Sequence, residues 1–429
     1  MKRLMVAMFA LISLTIVPAE GADKHLGVAS CASSLCHGSA RPLAAQAVLQ
    51  NEYTTWSQFD PHAGAYKVLL GAKSKEIARR MGLPNAHEAP ACLACHAENA
   101  PVAQRGPKYQ VTDGIGCETC HGGSERWLAT HYASPKVTHA DNLAAGLTAL
   151  EDPKVRANQC AGCHVGGGDR FANHKMMAAG HPRLVFELDT YTELWRTSGG
   201  REHYKRDADY VQRKSVTTAM VNWIDGLASS AHRQNGLTAA NFVRTGALPD
   251  FAVYACYSCH RDLKVTPWQG EGRRDALATR AGELRLQDGH VRTLLVLSRA
   301  ARASLEPRLS AAIRTLQDAS SAGAGGVPAA AAELDRVIDQ VASELRARSW
   351  TQADLGRVLD ELSSAARGGA FPDQAAGEQA AMGMVLVLAE LDQDRKRRAD
   401  IDQLFAALKD GDAFDAARFA RVIGRLQRP

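Results

Sequence analysis

The sequence predicts a mainly α chain in two unlike parts: a loop-rich first part whose core is not built from side chains, then a C-terminal α-helical bundle. Two observations carry this. All ten cysteines and fourteen of the fifteen histidines of the 429-residue chain lie before residue 261, and the aromatic content of the whole is only 6%. The first part therefore has too little side-chain volume for an ordinary core. Beyond residue 270 the composition turns to Ala, Leu, Arg and Asp, with apolar residues at helical spacing. The expected division is 1–21, 22–270 and 271–429.

Segment 1–21 has Lys2 and Arg3 before an uncharged run from Leu4 to Val17, with small residues at Ala19 to Ala22. This is the pattern of a secretory signal, and it implies a periplasmic protein. No later stretch approaches 18 apolar residues, so no spanning helix is expected once the signal is removed. In the first part, helices are expected at 44–59, 74–81, 186–196 and 211–228. Loops are marked by Pro84-Asn85, Pro101, Gly106-Pro107, Gly114 to Gly116, Gly122-Gly123 and Gly166 to Gly168. In the second part, Leu334, Val337, Ile338, Val341 and Leu345, then Leu355, Val358, Leu359 and Leu362, form helical stripes. Breaks fall at Ala322 to Pro328 and Arg367 to Pro372. Thr351 with Asp354 has the form of a capping box, and Asp412 is placed to cap the last helix. The bundle carries no visible chemistry and is expected to fold separately, packing on itself or serving dimerisation, with a docking surface for a redox partner as the alternative.

The chemistry lies in the cysteines. They form five pairs, and a histidine follows the second member of each: Cys92-Leu-Ala-Cys95-His96, Cys117-Glu-Thr-Cys120-His121, Cys160-Ala-Gly-Cys163-His164, Cys256-Tyr-Ser-Cys259-His260, and the wider Cys31-Ala-Ser-Ser-Leu-Cys36-His37. C-x-x-C-H is the attachment site of c-type haem: two thiols add to the porphyrin vinyls, and the adjoining imidazole becomes the proximal iron ligand. Zinc sites, redox dithiols and disulfide frameworks do not require the histidine. In the first motif two extra residues must bulge between the thioethers, and a structural disulfide is the alternative there. Five haem c groups are expected. Each oxidised bis-histidine haem adds roughly −1 to the formal +5 of the chain, bringing the holoprotein to about zero, so nucleic-acid binding is not indicated. The many arginines suit the haem propionates.

Ten histidines lie outside the motifs: His25, His62, His87, His131, His139, His174, His181, His203, His232 and His290. The stretch Gly114-Ile-Gly-Cys117-Glu-Thr-Cys120-His121-Gly-Gly, with His131 ten residues beyond, resembles the third haem motif of the multihaem cytochrome c-554 family. Trp56-Ser-Gln-Phe-Asp-Pro-His62-Ala is similar to the tryptophan and His-Ala that follow that family's first haem. The resemblance covers roughly residues 28–165 and implies distal-ligand roles for His62 and His131. Asn173-His174-Lys-Met-Met-Ala-Ala-Gly-His181 looks like a stretch found in uncharacterised multihaem relatives, and His174, His181 and His139 are further distal candidates. His87 and His232 are reserves. The widened first motif, the fifth haem and the long tail depart from the family pattern.

Two imidazoles per iron leave no open site, which favours an electron carrier serving redox partner proteins. The competing reading is a multihaem oxidoreductase with one five-coordinate haem acting on a small nitrogen or sulfur compound. No proximal histidine is replaced by lysine, the signature of pentahaem nitrite reductase.

Overall fold

The computed structural model describes residues 23–43, 45, 48–168, 170–197, 203–205, 207–213, 217–245, 248–261, 277, 280, 282–409 and 414–427. The expected leader, the start of the first expected helix at Ala44, the boundary at residue 270 and the Asp412 cap lie outside them. The chain is mainly α, and among the described residues β pairing is confined to isolated bridges such as His25 with Arg105.

Short helices and turns make up the first part. They are α1 (Glu52–Phe59), α2 (Ala65–Val68), α3 (Ala72–Met81), α4 (Pro90–His96), α5 (Cys117–His121), α6 (Trp127–Ala133), α7 (His139–Ala144), α8 (Pro153–His164), α9 (His174–Ala178), α10 (Leu188–Thr197) and α11 (Ala208–Arg213). Three of them, α4, α5 and α8, end on the histidine of a Cys-Cys-His motif. α8 shows how sequence sets this up: Asp152 accepts the Lys154 amide at 2.8 Å, Pro153 occupies the first turn, and the helix runs to His164. Apolar side chains buried in this part form only small clusters, such as Ala157, Ala161, Phe186 and Leu188.

The expected helix over 211–228 is instead two helices. The second, α12 (Ala219–Thr245), is 27 residues long. It precedes residue 270, yet its Met220, Trp223, Ile224, Leu227 and Phe242 belong to the same continuous core as the C-terminal helices. Those are α13 (Gly289–Ala301), α14 (Glu306–Ala322), α15 (Val327–Arg346), α16 (Gln352–Arg367), α17 (Gln374–Glu390), α18 (Arg398–Ala406) and α19 (Ala416–Ile423). α12 packs on α8 along one side and on α15, α13 and α17 along others. Close approach depends on two glycines: a Cβ at Gly383 of α17 would run into the Trp223 ring, and one at Gly226 would stand 2.7 Å from Leu188 Cβ. The bundle core is thus completed by a helix from the first part.

Thr351 and Asp354 form the expected capping box at α16. At α19 the cap is Asp415, which accepts the Ala417 and Arg418 amides at 2.9 and 3.0 Å. Among the described residues, no helix is long and apolar enough to cross a membrane.

Candidate haem-binding centre

The five Cys-Cys-His motifs use three local conformations. α4, α5 and α8 present theirs on helical turns, and the fifth opens on a 3-10 turn at Cys256–Ser258. There the His260 amide closes onto the Cys256 carbonyl at 2.7 Å. The widened first motif closes in the same sense, with the His37 amide on the Cys31 carbonyl at 3.2 Å. Its extra residues form a turn and leave Leu35 exposed, so the histidine keeps its place relative to the first cysteine.

Thiols of different motifs touch. Cys31 and Cys117 are hydrogen-bonded, as are Cys95 and Cys163, so the first motif lies beside the third and the second beside the fourth. The shared hydrogen bond lowers Cys31 and raises Cys117. The bond from Cys95, helped against burial by Arg170, His62 and Arg233, brings Cys163 down to about 6. Burial pushes Cys120 and Cys160 up to about 12 and about 11.

Among the described residues, the rings of His37, His96, His164 and His260 each face a second imidazole. The centroids of His37 and His131 are 5.9 Å apart, those of His62 and His164 6.1 Å, His96 and His181 6.3 Å, and His174 and His260 6.2 Å. Metal–imidazole bonds of about 2 Å, plus about 1.2 Å from nitrogen to ring centre, put two imidazoles on opposite sides of one iron roughly 6.3 Å apart. All four spacings fall near that value. The interplanar angles divide them: 20° and 31° for the pairs of His37 and His260, 88° and 86° for those of His164 and His96.

Four of these eight rings have a partner on Nδ1, the arrangement that would turn Nε2 towards a metal. Nδ1 of His37 meets Glu52 at 2.8 Å, Nδ1 of His62 meets Asp60 at 2.9 Å, Nδ1 of His96 meets the Ala65 carbonyl at 3.0 Å, and Nδ1 of His181 meets the Pro182 carbonyl at 2.8 Å. Donation from Nδ1 fixes the tautomer that leaves Nε2 as the ligand atom. Hydrogen bonds to these carboxylates raise His37 and His62, whereas burial lowers His96 and pushes His164 down to about 4. Burial opposes ionisation of Glu52 and Asp60, yet the bonds from His37 and His62 hold both below the usual carboxylate range.

Local structure aims these side chains. Asp60 caps the turn Pro61–Gly64 by accepting the His62 amide at 2.9 Å, and Trp56 anchors the preceding helix by donating Nε1 to the Ile115 carbonyl at 3.0 Å. Asn173 caps α9, accepting the Met176 amide at 2.8 Å, while Asp250 accepts the His174 amide at 2.9 Å. Gly180, at φ 115°, turns the chain after α9 so that His181 reaches the second motif while His174 reaches the fifth.

The other histidines have different surroundings, and His203 among them lies near Glu52, Asp60 and His37. His121 closes α5, half-buried. His139 opens α7 with Nε2 on the Glu151 carboxylate. His25 holds Glu98 at 2.8 Å, and His87 packs its ring edge-on against Tyr66 at 6.4 Å. His203 lies against Trp195 at 4.9 Å. His232 bridges Asp335 at 2.9 Å and Asp339 at 3.2 Å, tying α12 to α15. His290 reaches the Phe186 carbonyl at 3.1 Å. The orienting carboxylates were not anticipated. Asp60 was findable, since an acid two residues before a histidine at a turn is a local signal; Glu52 was not.

Residues 30–122 match the family model of cytochrome c554 and c-prime. That segment holds the first three motifs and His62, and its likeness is to the c-type cytochromes of that family. No match is found among the curated proteins or the solved structures.

Proposed function

We propose that this chain is an exported multihaem c-type cytochrome that carries electrons between redox partner proteins through five covalently held haems, mostly ligated by two histidines. The proximal ligands are His37, His96, His121, His164 and His260. The distal ligands are His131 for the site of His37, His181 for His96, His62 for His164 and His174 for His260. The thiols are Cys31, Cys36, Cys92, Cys95, Cys117, Cys120, Cys160, Cys163, Cys256 and Cys259. Bound haem supplies one reversible electron per iron.

The observation that carries this reading is the spacing of the four ring pairs, each near the separation of two imidazoles sharing one iron. With both axial positions taken, these sites bind no substrate at the metal, which favours relay over catalysis. The contacts between thiols of different motifs, and α9 with one histidine for each of two sites, support close spacing of the centres. His139 remains a further proposed ligand, now with a carboxylate on Nε2 as a competitor.

The test is the absorption and magnetic spectrum of holoprotein matured in an exporting host with haem-attachment machinery. A predominantly low-spin oxidised spectrum that does not react with carbon monoxide on reduction is expected. A high-spin majority would overturn the proposal.

A further inference from the structure

The Gly166-Gly167-Gly168 run has no part in haem attachment, yet all three residues have positive φ, at 115°, 145° and 63°. They form a tight reversal directly after the fourth motif: the Gly167 amide donates to the Arg170 carbonyl at 2.8 Å, and the Arg170 amide donates back to Gly167 at 3.1 Å. This returns the Arg170 side chain over the motif. A Cβ on Gly162, which lies between Cys160 and Cys163, would stand 3.2 Å from Arg170 Nη1 and 3.8 Å from Arg233 Nη2. Arg233 arrives from α12. Its Nη2 donates to the Asn158 carbonyl at 3.1 Å, and a Cβ on Gly167 would stand 2.7 Å from its Nη1. Both arginines are half-buried. Among the described residues neither guanidinium forms an ion pair with a carboxylate.

We propose that Arg170 and Arg233 form a cationic clamp over the fourth motif that raises the reduction potential of the haem held there, and that Gly162 and the glycine run are the clearance that admits it. The inference rests on the proposed haem attachment at Cys160 and Cys163. A c-type haem carries its propionates on the edge opposite its thioethers, so two guanidiniums at the attachment edge are not neutralised by that haem's own carboxylates. Reduction adds one negative charge, and uncompensated cations nearby favour it. The fourth site then holds an electron more tightly than it would without the two cations. Because Arg233 belongs to the helix that completes the bundle core, the C-terminal bundle acts on the redox properties of the first part through this side chain.

The experiment is a spectroelectrochemical titration of holoprotein carrying Arg170→Gln, Arg233→Gln or both, beside Arg170→Lys and Arg233→Lys. Each lost charge is expected to weaken reduction of one haem by about tenfold, a shift of about 59 mV to the negative for a one-electron step. The lysine variants, which keep the charge and lose the fork, are expected to titrate like the wild type. The step that moves should be the one altered in His62→Ala, the distal ligand proposed for that site. A glutamine titration that superposes on the wild type overturns the clamp, and so does a lysine shift as large as the glutamine shift, since that marks a packing role. Haem count and spin state, measured on the same wild-type sample, report separately on the haem assignment beneath it.

Discussion

Truncation after residue 270 removes α13 to α19 and leaves α12 with its bundle face uncovered. Met220, Trp223, Ile224, Leu227 and Phe242 are each at most 1% exposed. Burying such a side chain contributes about 1.5–3 kcal/mol, so the five together stand for about 8–15 kcal/mol. Part of that burial is against α8 and α10, which the truncation keeps. If half is lost, the cost is about 4–8 kcal/mol, comparable with the whole stability of a typical domain. The truncated holoprotein is expected to melt well below the full chain, to associate through the uncovered face, and to be cut early within 219–245 in limited proteolysis. Size-exclusion chromatography, a melt followed in the Soret band, and mass mapping of the first cuts measure these. A truncated protein that stays monomeric, keeps the wild-type melting temperature and resists cleavage in α12 would refute the shared-core argument and restore a clean division at residue 270.

Intact mass and the haemochrome assay should give five haems per mature chain; four haems plus a disulfide would place Cys31 and Cys36 outside the haem set. His131→Ala should yield one high-spin, carbon monoxide-binding haem, and an unchanged spectrum would sink its pairing with His37. Near-parallel imidazoles split the iron d orbitals more than crossed ones, so two classes of low-spin signal are expected by electron paramagnetic resonance, with His96→Met and His164→Met depleting the crossed class. Burial pushes His290 down to about 4 from an ordinary 6.5. A depressed histidine pKa means its stabilising contribution is complete above pH 6.5 and is lost as the pH falls towards 4, by about 3 kcal/mol. His290→Asn should flatten that part of the stability profile in denaturant titrations at pH 7.5 and 4.5, and an identical acid slope in both proteins would count against it.

The attachment motifs were legible because thioether chemistry demands a fixed local string, and the helical stripes because burial on one face repeats every three to four residues. His62 and His131 were reached through the likeness to the cytochrome c-554 family, His174 and His181 through a stretch like one in multihaem relatives, and each faces a motif histidine. What was not legible is long-range. Nothing near His37 announces Glu52 as its partner, and nothing in 219–245 says that Trp223 packs against Gly383 instead of closing a core of its own. The stretch 211–228 was read as one helix because its apolar residues keep period across a break. The glycine run after the fourth motif read as a loop, and the clearance proposed for it depends on Arg233, which is remote in sequence.

The facing of rings across long sequence intervals bears on the order in which the protein can be completed. On the proposed export and pairing, the partners of His37 and His96 are His131 and His181, both of which would leave the export channel after the motif they serve. His164 and His260 find His62 and His174 already outside. The first two haems attached to the emerging chain therefore spend an interval with one axial position open to water or to small ligands, while the fourth and fifth can close as soon as they are joined. On that proposal a chain stalled during export would carry its reactive irons at the N-terminal end, and the later histidines would serve as the quenching step of its maturation.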